Sequence, residues 1–444
     1  MVQLPENFIN RMAILLEHDY PAFLKSYSTV SKKGIRLNPL KCTIDVLRKN
    51  IPFTLTSSPF SPLSYYVNEE GIKIGLLPMH HAGAFYSQEP SAASAVTVLD
   101  PKPGDRVLDL CAAPGGKSTQ IAGLLMGKGL LWSNEMVKKR SKILLSNMER
   151  CGVRNAVVSC CYPDVLCHRL AGFFDKVLVD APCSGEGMFR RDKQAIQDWS
   201  VEHVRTCAAR QSAILDLACE AVAQNGILVY STCTFSKEEN EDVVTAFLER
   251  HPEFIPEDCG VSFGRSGIGM PWARRIYPMD GGDGHFVAKF RRVKENEQTC
   301  LMYQITAKQD ISMAKKLYDS IIKESWQHNI VKIKEQFLLL PPKLPQLDGL
   351  GVLRAGVLLG ESKTNRVEPA HGLFMATTAN QLHQVISFDN DNPCLFQFLR
   401  GEEIAVPNHI KGYAGVAVDG IVTGFGKCSA GKLKNHYPKG LRNF

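Results

Sequence analysis

From Asp105 to about Arg291 the chain alternates between two hydrophobic textures. Short apolar runs at Arg106–Leu110, Leu130–Asn134, Ala156–Cys160, Lys176–Asp180 and Ile227–Ser231 read as strands. Between them, Val137–Cys151, Val201–Ala223 and Glu238–Glu249 read as helices. Strand, glycine loop, helix and strand again predict an α/β domain, a doubly wound parallel sheet wrapped by helices. A last strand is expected over Gly284–Arg291. The polar run Val293–Thr299, which lacks an apolar period, reads as a linker.

Ahead of this domain, Phe8, Met12, Leu15, Leu16, Phe23 and Leu24 recur at helical spacing and predict an amphipathic helix within Pro5–Lys25. Short alternating pieces run to about Tyr86, and Gln88-Glu-Pro-Ser91 opens an alanine-rich helix with Pro90 suited to its first turn. Beyond Gln304 a helix is expected around Ile311–Ile322, followed by strand-like runs at Gly351–Leu358, Ile404–Val406 and Tyr413–Val422. The terminal module is therefore mostly β. A length of 444 residues agrees with about three units, since one core rarely serves so long a chain.

Composition alters this picture in three places. Hydrophobic residues at 44% and charged residues at 22% are ordinary for a globular protein, and no apolar stretch reaches bilayer-spanning length, so no membrane partner is expected. The start, Met1-Val-Gln-Leu-Pro-Glu-Asn7, lacks the charged opening and apolar core of a secretory signal, which points to the cytoplasm and to reduced thiols. Of 14 cysteines, Cys160, Cys161 and Cys167 form no paired CxxC array, so no metal site is expected.

The net charge of +7 is mild, but its distribution says more. Gly420–Phe444 holds no acid and carries Lys427, Lys432, Lys434, Lys439 and Arg442 among Phe425, His436 and Tyr437, a mixture suited to phosphates and stacked bases. Lys32, Lys33, Arg36, Lys41, Arg48 and Lys49 form a second basic stretch. Together they favour a nucleic-acid partner.

Asp109-Leu-Cys-Ala-Ala-Pro-Gly-Gly-Lys-Ser118 joins the first strand of the sheet to its helix, the usual address of a nucleotide-like ligand. Gly116-Lys-Ser118 invites a phosphate-loop reading, but that motif needs glycine where Cys111 stands, and GxGxxG is absent too. A glycine turn without a phosphate fingerprint favours a nucleoside cofactor carrying no pyrophosphate. Glu135, nineteen residues after Gly116, is placed for ribose hydroxyls. S-adenosylmethionine fits this combination, held by Cys111, Ala112, Ala113, Pro114, Gly115, Gly116, Lys117 and Glu135. Asp109 is placed for the loop or the amino group, Asp164 for the adenine, and Asp180 completes the expected contacts.

Two further cysteines leave the ends of apolar runs, in Asp180-Ala-Pro-Cys183-Ser-Gly185 and Ser231-Thr-Cys233-Thr234. Thiols at the mouth of a parallel sheet are candidate nucleophiles, and nothing in the spacing ranks one above the other.

These segments resemble the Nop/Sun RNA cytosine carbon-5 methyltransferases, particularly the bacterial RsmF-type enzymes of 16S ribosomal RNA. The resemblance is carried by Leu108–Ser118, Asp180–Phe189, Tyr230–Ser236, Gly284-His-Phe-Val-Ala288, Arg36-Leu-Asn-Pro-Leu-Lys41 and Gln88-Glu-Pro-Ser91. It covers about residues 1–291. Leu353-Arg-Ala-Gly356 and Arg366-Val-Glu-Pro369 are similar, less specifically, to the RsmF-type tail with its PUA-like RNA-binding module.

The resemblance implies a Rossmann-like methyltransferase domain over 96–292, an N-terminal α/β RNA-binding extension over 1–95 and a C-terminal PUA-containing region over 300–444. It assigns Cys233 to attack carbon 6 of cytosine, Cys183 to release the product, and Asp180 to hold or protonate ring nitrogen 3. The expected partner is ribosomal RNA or the small ribosomal subunit, met by a monomer. Transfer RNA as substrate, or a catalytically silent RNA-binding assembly factor, are the competing readings.

Overall fold

The computed structural model describes residues 4–69, 71–296, 300–304, 309–324 and 329–442. The first three residues of the expected non-signal start, residues 297–299 of the expected linker, and the last two of the basic tail lie outside them.

The central sheet contains β1 (Arg106–Asp109), β2 (Leu130–Asn134), β3 (Ala156–Ser159), β4 (Phe174–Asp180), β5 (Val222–Thr232), β6 (Met270–Ile276) and β7 (His285–Arg292). Their spatial order is β3-β2-β1-β4-β5-β7-β6, with β1 to β5 parallel and β7 antiparallel to both of its neighbours, β5 and β6. The near-continuous apolar runs read from the sequence are what a sheet covered on both faces requires. One layer holds Trp132, Phe174, Leu215 and Phe247, the other Val96, Ile121, Leu131 and Leu144. The helices include α1 (Gly116–Leu125), α2 (Lys138–Arg150), α3 (Val201–Ala221) and α4 (Glu241–Arg250). Because α1 carries the chain from β1 to β2 while β4 lies on the other side of β1, the strand order reverses between β1 and β4. A crevice opens at their carboxyl ends, where open α/β sheets bind ligands.

The N-terminal segment folds as two helices, Glu6–Leu16 and Tyr20–Ser26, separated by a 3₁₀ turn at Glu17–Asp19, instead of the single helix expected. Their Phe8, Met12 and Phe23 pack on Phe189, Trp199, Phe235 and Tyr277, so this helix pair covers the loops that follow β4 and β5. A four-stranded antiparallel sheet of Gly34–Leu37, Leu55–Ser57, Ser64–Val67 and Phe85–Ser87 comes next. Glu89 caps the following turn by accepting hydrogen bonds from the backbone N–H groups of Ser91 and Ala92.

Two expectations for the C-terminal region change. Gly351–Leu358 is not one strand of the terminal module. Gly356 has φ +67, where a Cβ would lie 2.0 Å from the Leu339 carbonyl oxygen, and the chain turns there. Val352–Ala355 instead extends the central sheet, antiparallel to β3, and Val357–Lys363 enters a separate four-stranded sheet. Tyr413–Val422 is the heart of a hairpin, Gly412–Val418 and Ile421–Ser429, turning at Asp419 and Gly420, both at positive φ. The final five-stranded sheet shares one apolar core with the N-terminal sheet: Phe53, Met79 and Phe85 lie in the same cluster as Leu395, Phe398 and Tyr437. Among the described residues no helix is long and apolar enough to cross a membrane.

Candidate active site

β4 and β5 run in parallel register with Asp180 opposite Ser231, so the loops leaving them begin side by side. This brings Cys183 and Cys233, fifty residues apart in sequence, to an Sγ–Sγ separation of 3.3 Å. Both are partly exposed. The loops are tied together beneath the thiols. Ser184 Oγ and Thr234 Oγ1 lie 2.8 Å apart, and the Gly187 N–H donates to the Cys233 carbonyl at 2.9 Å. Buried Glu186 accepts from the Phe235 N–H at 2.9 Å, from Ser236 Oγ at 2.7 Å and from Trp199 Nε1 at 3.0 Å.

Behind Cys183 lies a second buried acid, Glu239, which accepts from the Ser184 N–H at 2.9 Å and from Gln211 Nε2 at 2.8 Å. Burial pushes its carboxyl up to about 7, although the Ser184 and Gln211 hydrogen bonds work the other way. The Cys183 thiol is pushed well above the ordinary cysteine value. Its contact with Cys233, its burial and the nearby Glu239 all disfavour a thiolate there.

On the other side of the cleft, Lys117 Nζ pairs with Asp180 Oδ2 at 2.8 Å, and Ser231 Oγ donates to Asp180 Oδ1 at 2.7 Å. Burial opposes charge on Asp180, but Lys117 and the hydrogen bonds outweigh it and hold the carboxyl below its usual value. Burial likewise opposes the Lys117 ammonium, yet Asp180 and, further off, Cys233 hold its pKa above the usual lysine value. Lys117 therefore stands as a fixed positive charge between the glycine loop and the thiols. His285, the first residue of β7, approaches it with Nε2 3.5 Å from Nζ. Burial, with Lys117 beside it, lowers the His285 imidazole to about 3, so it is neutral and its Nε2 faces the ammonium as an acceptor.

The loop Cys111–Lys117 is shaped from outside. Its Ala113–Pro114 peptide is cis. Arg140 Nη2 donates to the Ala113 carbonyl and Asn147 Nδ2 to the Pro114 carbonyl, each at 2.8 Å. Gly115 adopts φ +112, which favours glycine, and a Cβ there would come 3.2 Å from Leu144. Buried Arg36 reaches in from the N-terminal sheet to the Gly116 carbonyl and Thr119 Oγ1. Burial sets the Cys111 thiol high, and no nucleophilic role falls to it.

The crevice also carries groups suited to a nucleoside. Glu135, just past β2, is buried, accepts from the Val137 N–H at 2.9 Å and lies 3.3 Å from Arg140 Nη1. Asp109, at the end of β1, accepts from Ser118 Oγ at 2.6 Å through Oδ2. Its Oδ1 is buried with no hydrogen-bond partner among the described residues, an acceptor awaiting a donor. Asp164 is exposed on the first turn of the helix Pro163–Arg169.

Residues from both basic stretches take structural roles instead of facing solvent. Arg36 is one, and Lys41 donates to the Met375 carbonyl. In the tail, strand alternation turns Lys427, Lys432 and Lys434 outward while Phe425 and Tyr437 are buried, so these two rings are not free to stack on bases. Phe425 stacks on Phe374 with ring centroids 4.2 Å apart, and Tyr437 OH is 2.7 Å from His81 Nδ1. Sequence reasoning missed the roles of His285, Glu186 and Glu239. His285 was within reach, since it lies inside the Gly284–Ala288 motif. Away from the cleft, Cys219, His251 and Glu253 bring ligand-type atoms within 4.8 Å, but His251 already sits between Asp216 and Glu253, at 2.9 and 3.1 Å, as a bridge between acids.

Comparison with known proteins covers nearly the whole chain. The profile of the 16S rRNA methyltransferase RsmB/F family matches residues 96–291, and that of the N-terminal domain of 16S rRNA methyltransferase RsmF matches 4–90. The first C-terminal domain of the RsmF rRNA methyltransferase matches 316–377, and the RsmF PUA domain 387–443. The chain is 30% identical to ribosomal RNA small subunit methyltransferase F of Vibrio vulnificus over 99% of its own length and 98% of that protein's. It is 34% identical to the protein of the same name from Escherichia coli O157:H7, over 66% of this chain and 64% of the other. A crystal structure of a methyltransferase homologue from Pyrococcus horikoshii superposes with a TM-score of 0.57 at 28% identity, covering 66% of this chain and 96% of that one.

Proposed function

The chain belongs to the RsmF-type family of 16S ribosomal RNA methyltransferases, and we propose on that premise that it methylates carbon 5 of cytosine in small-subunit RNA through a covalent cysteine adduct. The observation that carries the chemistry is the pair of sulfurs 3.3 Å apart beside an ionised Asp180–Lys117 pair. Carbon 5 of cytosine is too weak a nucleophile to be alkylated directly, and addition of a thiolate at carbon 6 makes it an enamine.

Cys233 supplies that thiolate. Cys183, whose thiol is pushed up by its contact with Cys233, by burial and by Glu239 behind it, is the sulfur less suited to be the nucleophile. Lys117 holds positive charge near the attacking sulfur and the ring as negative charge develops there. Asp180, being ionised, holds the base by accepting from its amino group. Of the two roles implied for it, holding is favoured over protonation.

S-adenosylmethionine, when bound, supplies an electrophilic methyl group. The residues present fit it: Glu135 for the ribose hydroxyls, the glycine turn at Gly115 and Gly116, and the unpartnered Asp109 Oδ1 for an ammonium. After carbon 5 has taken the methyl group, its proton must leave to a base and the Cys233–carbon 6 bond must break, returning the electron pair to sulfur. Cys183 stands close enough to Cys233 to serve this release.

Two substitutions test the assignment. Cys233→Ala is expected to abolish methylation, whereas Cys183→Ala lets a covalent RNA adduct accumulate, seen as a retarded band on a denaturing gel. Loss of methylation in Cys183→Ala together with trapped RNA in Cys233→Ala reverses the roles. Bisulfite mapping of ribosomal and transfer RNA from cells lacking the protein identifies the substrate, and an unchanged map defeats the proposal.

A further inference from the structure

Resting on the RNA reading above, we infer that the cleft between Val30–Lys33 and the strand Ser64–Val67 is a subsite for the single-stranded nucleotide beside the target cytosine. An enzyme acting on a base must take it out of its stack, which leaves the neighbouring nucleotide without a partner face. A surface that receives such a nucleotide needs cationic groups for the phosphate and an apolar or aromatic face for the base.

The cleft has both. It measures about 410 Å³, and its lining includes Val30, Lys32, Lys33 and Tyr66. Val30 is 75% exposed, an apolar side chain held in solvent. Lys32 Nζ sits 4.8 Å from the Tyr66 ring centroid, a paired cation and aromatic surface. A smaller cavity of about 120 Å³ shares Val30 and Lys32 with it and is lined further in by Arg190 and Asp283.

This exposed wall is pinned by a buried ion cluster that leads to the thiols. Asp283, 4% exposed at its side chain, accepts from Ser31 Oγ at 2.8 Å and pairs with Arg190 at 3.0 Å and with Arg191. Arg190 Nη2 also donates to the Thr29 carbonyl at 3.1 Å, and Arg191 to the Lys32 carbonyl. Arg190 and Arg191 end the loop that begins at Cys183, and Asp283 lies two residues before His285. Tyr66 OH donates to the Gly281 carbonyl at 2.9 Å, fixing the opposite wall to the segment that carries Asp283. Both walls are thus set relative to the reacting sulfurs, and the smaller cavity keeps a buried Arg190 Nε–H with no acceptor among the described residues.

The test uses the full chain with a 16S rRNA transcript in which cytidine is replaced by 5-fluorocytidine, which blocks loss of the group at carbon 5 and holds the adduct, and in which some uridines are 4-thiouridine. Irradiation of the wild-type adduct is expected to cross-link RNA to peptides containing residues 30–33 or 66–69. Val30→Asp and Lys33→Glu, both at exposed positions, are expected to weaken transcript binding roughly tenfold each, the scale of one lost stacking or phosphate contact, with S-adenosylmethionine binding unchanged. A wild-type adduct with cross-links only elsewhere, or full transcript affinity in both variants, overturns the subsite and leaves the methylation reading standing. No wild-type adduct at all overturns both.

Discussion

Cys183 and Cys233 present the same atom to the same cleft, yet the groups behind them differ. The partner sulfur, burial and Glu239 push the Cys183 thiol up, while Lys117 places a positive charge on the side of Cys233. A similar competition between burial and neighbours acts on Asp109, pushed up to about 7 by burial, with Ser118 lowering and Asp180 raising it. A carboxyl raised in the folded state holds protons that the unfolded chain has released, so its contribution to stability falls as pH rises from about 3.8 to about 7. Binding a cation at Asp109 Oδ1 draws on the ionised form. S-adenosylmethionine affinity is therefore expected to strengthen between about pH 6 and pH 7.5, below the titration of an α-amino group near 7.7–8.0. Isothermal titration across that range reads it, and Asp109→Asn should flatten the profile. A flat profile in the wild type removes Asp109 from the binding site.

The loops after β4 and β5 hold their sulfurs together because glycine lets backbones meet. At Gly187 a Cβ would lie 2.9 Å from the Cys233 carbonyl oxygen, and at Gly284, with φ +146, 2.5 Å from the Phe235 ring. Phe235 cannot give way, being 1% exposed among Phe23, Phe189 and Tyr277. Gly284→Ala is expected to cost about 1–3 kcal/mol, the usual range for overpacking, and to slow single-turnover methylation by displacing the segment that carries Cys233. Denaturant unfolding and a rapid-quench assay measure the two effects. Unchanged stability and rate together refute the packing account. The strands were legible in the sequence because each is a short apolar run. The breaks at Glu17–Asp19 and Gly356 were not, because helical spacing continues through the first and a strand-like run through the second.

Across the molecule, the ends of the chain depend on each other. The N-terminal sheet and the final five-stranded sheet complete one core, with Phe398 fully buried among residues from both. Phe398→Ala is expected to cost about 3–5 kcal/mol, as truncation of a buried aromatic does. Its signature is loss of hydrogen-exchange protection in Gly34–Leu37 as well as in Gly412–Val418. Changes confined to residues beyond 385 mean that the two sheets are independent. The shared core also gives a reason for two inward-reaching cations: Arg36 and Lys41 fasten the N-terminal sheet to the glycine loop and to the helix His371–Met375.

Local pattern determined the order of strands and helices in the central domain, the glycine loop and the address of both cysteines, because periodicity and turn chemistry act between near neighbours. Family likeness ranked the sulfurs in advance. Tertiary structure decided what depends on residues far apart in sequence. The 3.3 Å contact of the two thiols comes from the parallel register of β4 and β5. The pairing of Lys117 with Asp180 comes from the reversal of strand order at β1, and the arrival of His285 beside them from the antiparallel return of β7. Charge along the chain marked a nucleic-acid partner. Which of these basic and aromatic residues are exposed was settled by strand alternation and burial, which turned Lys427, Lys432 and Lys434 outward and kept Arg36, Phe425 and Tyr437 within the fold.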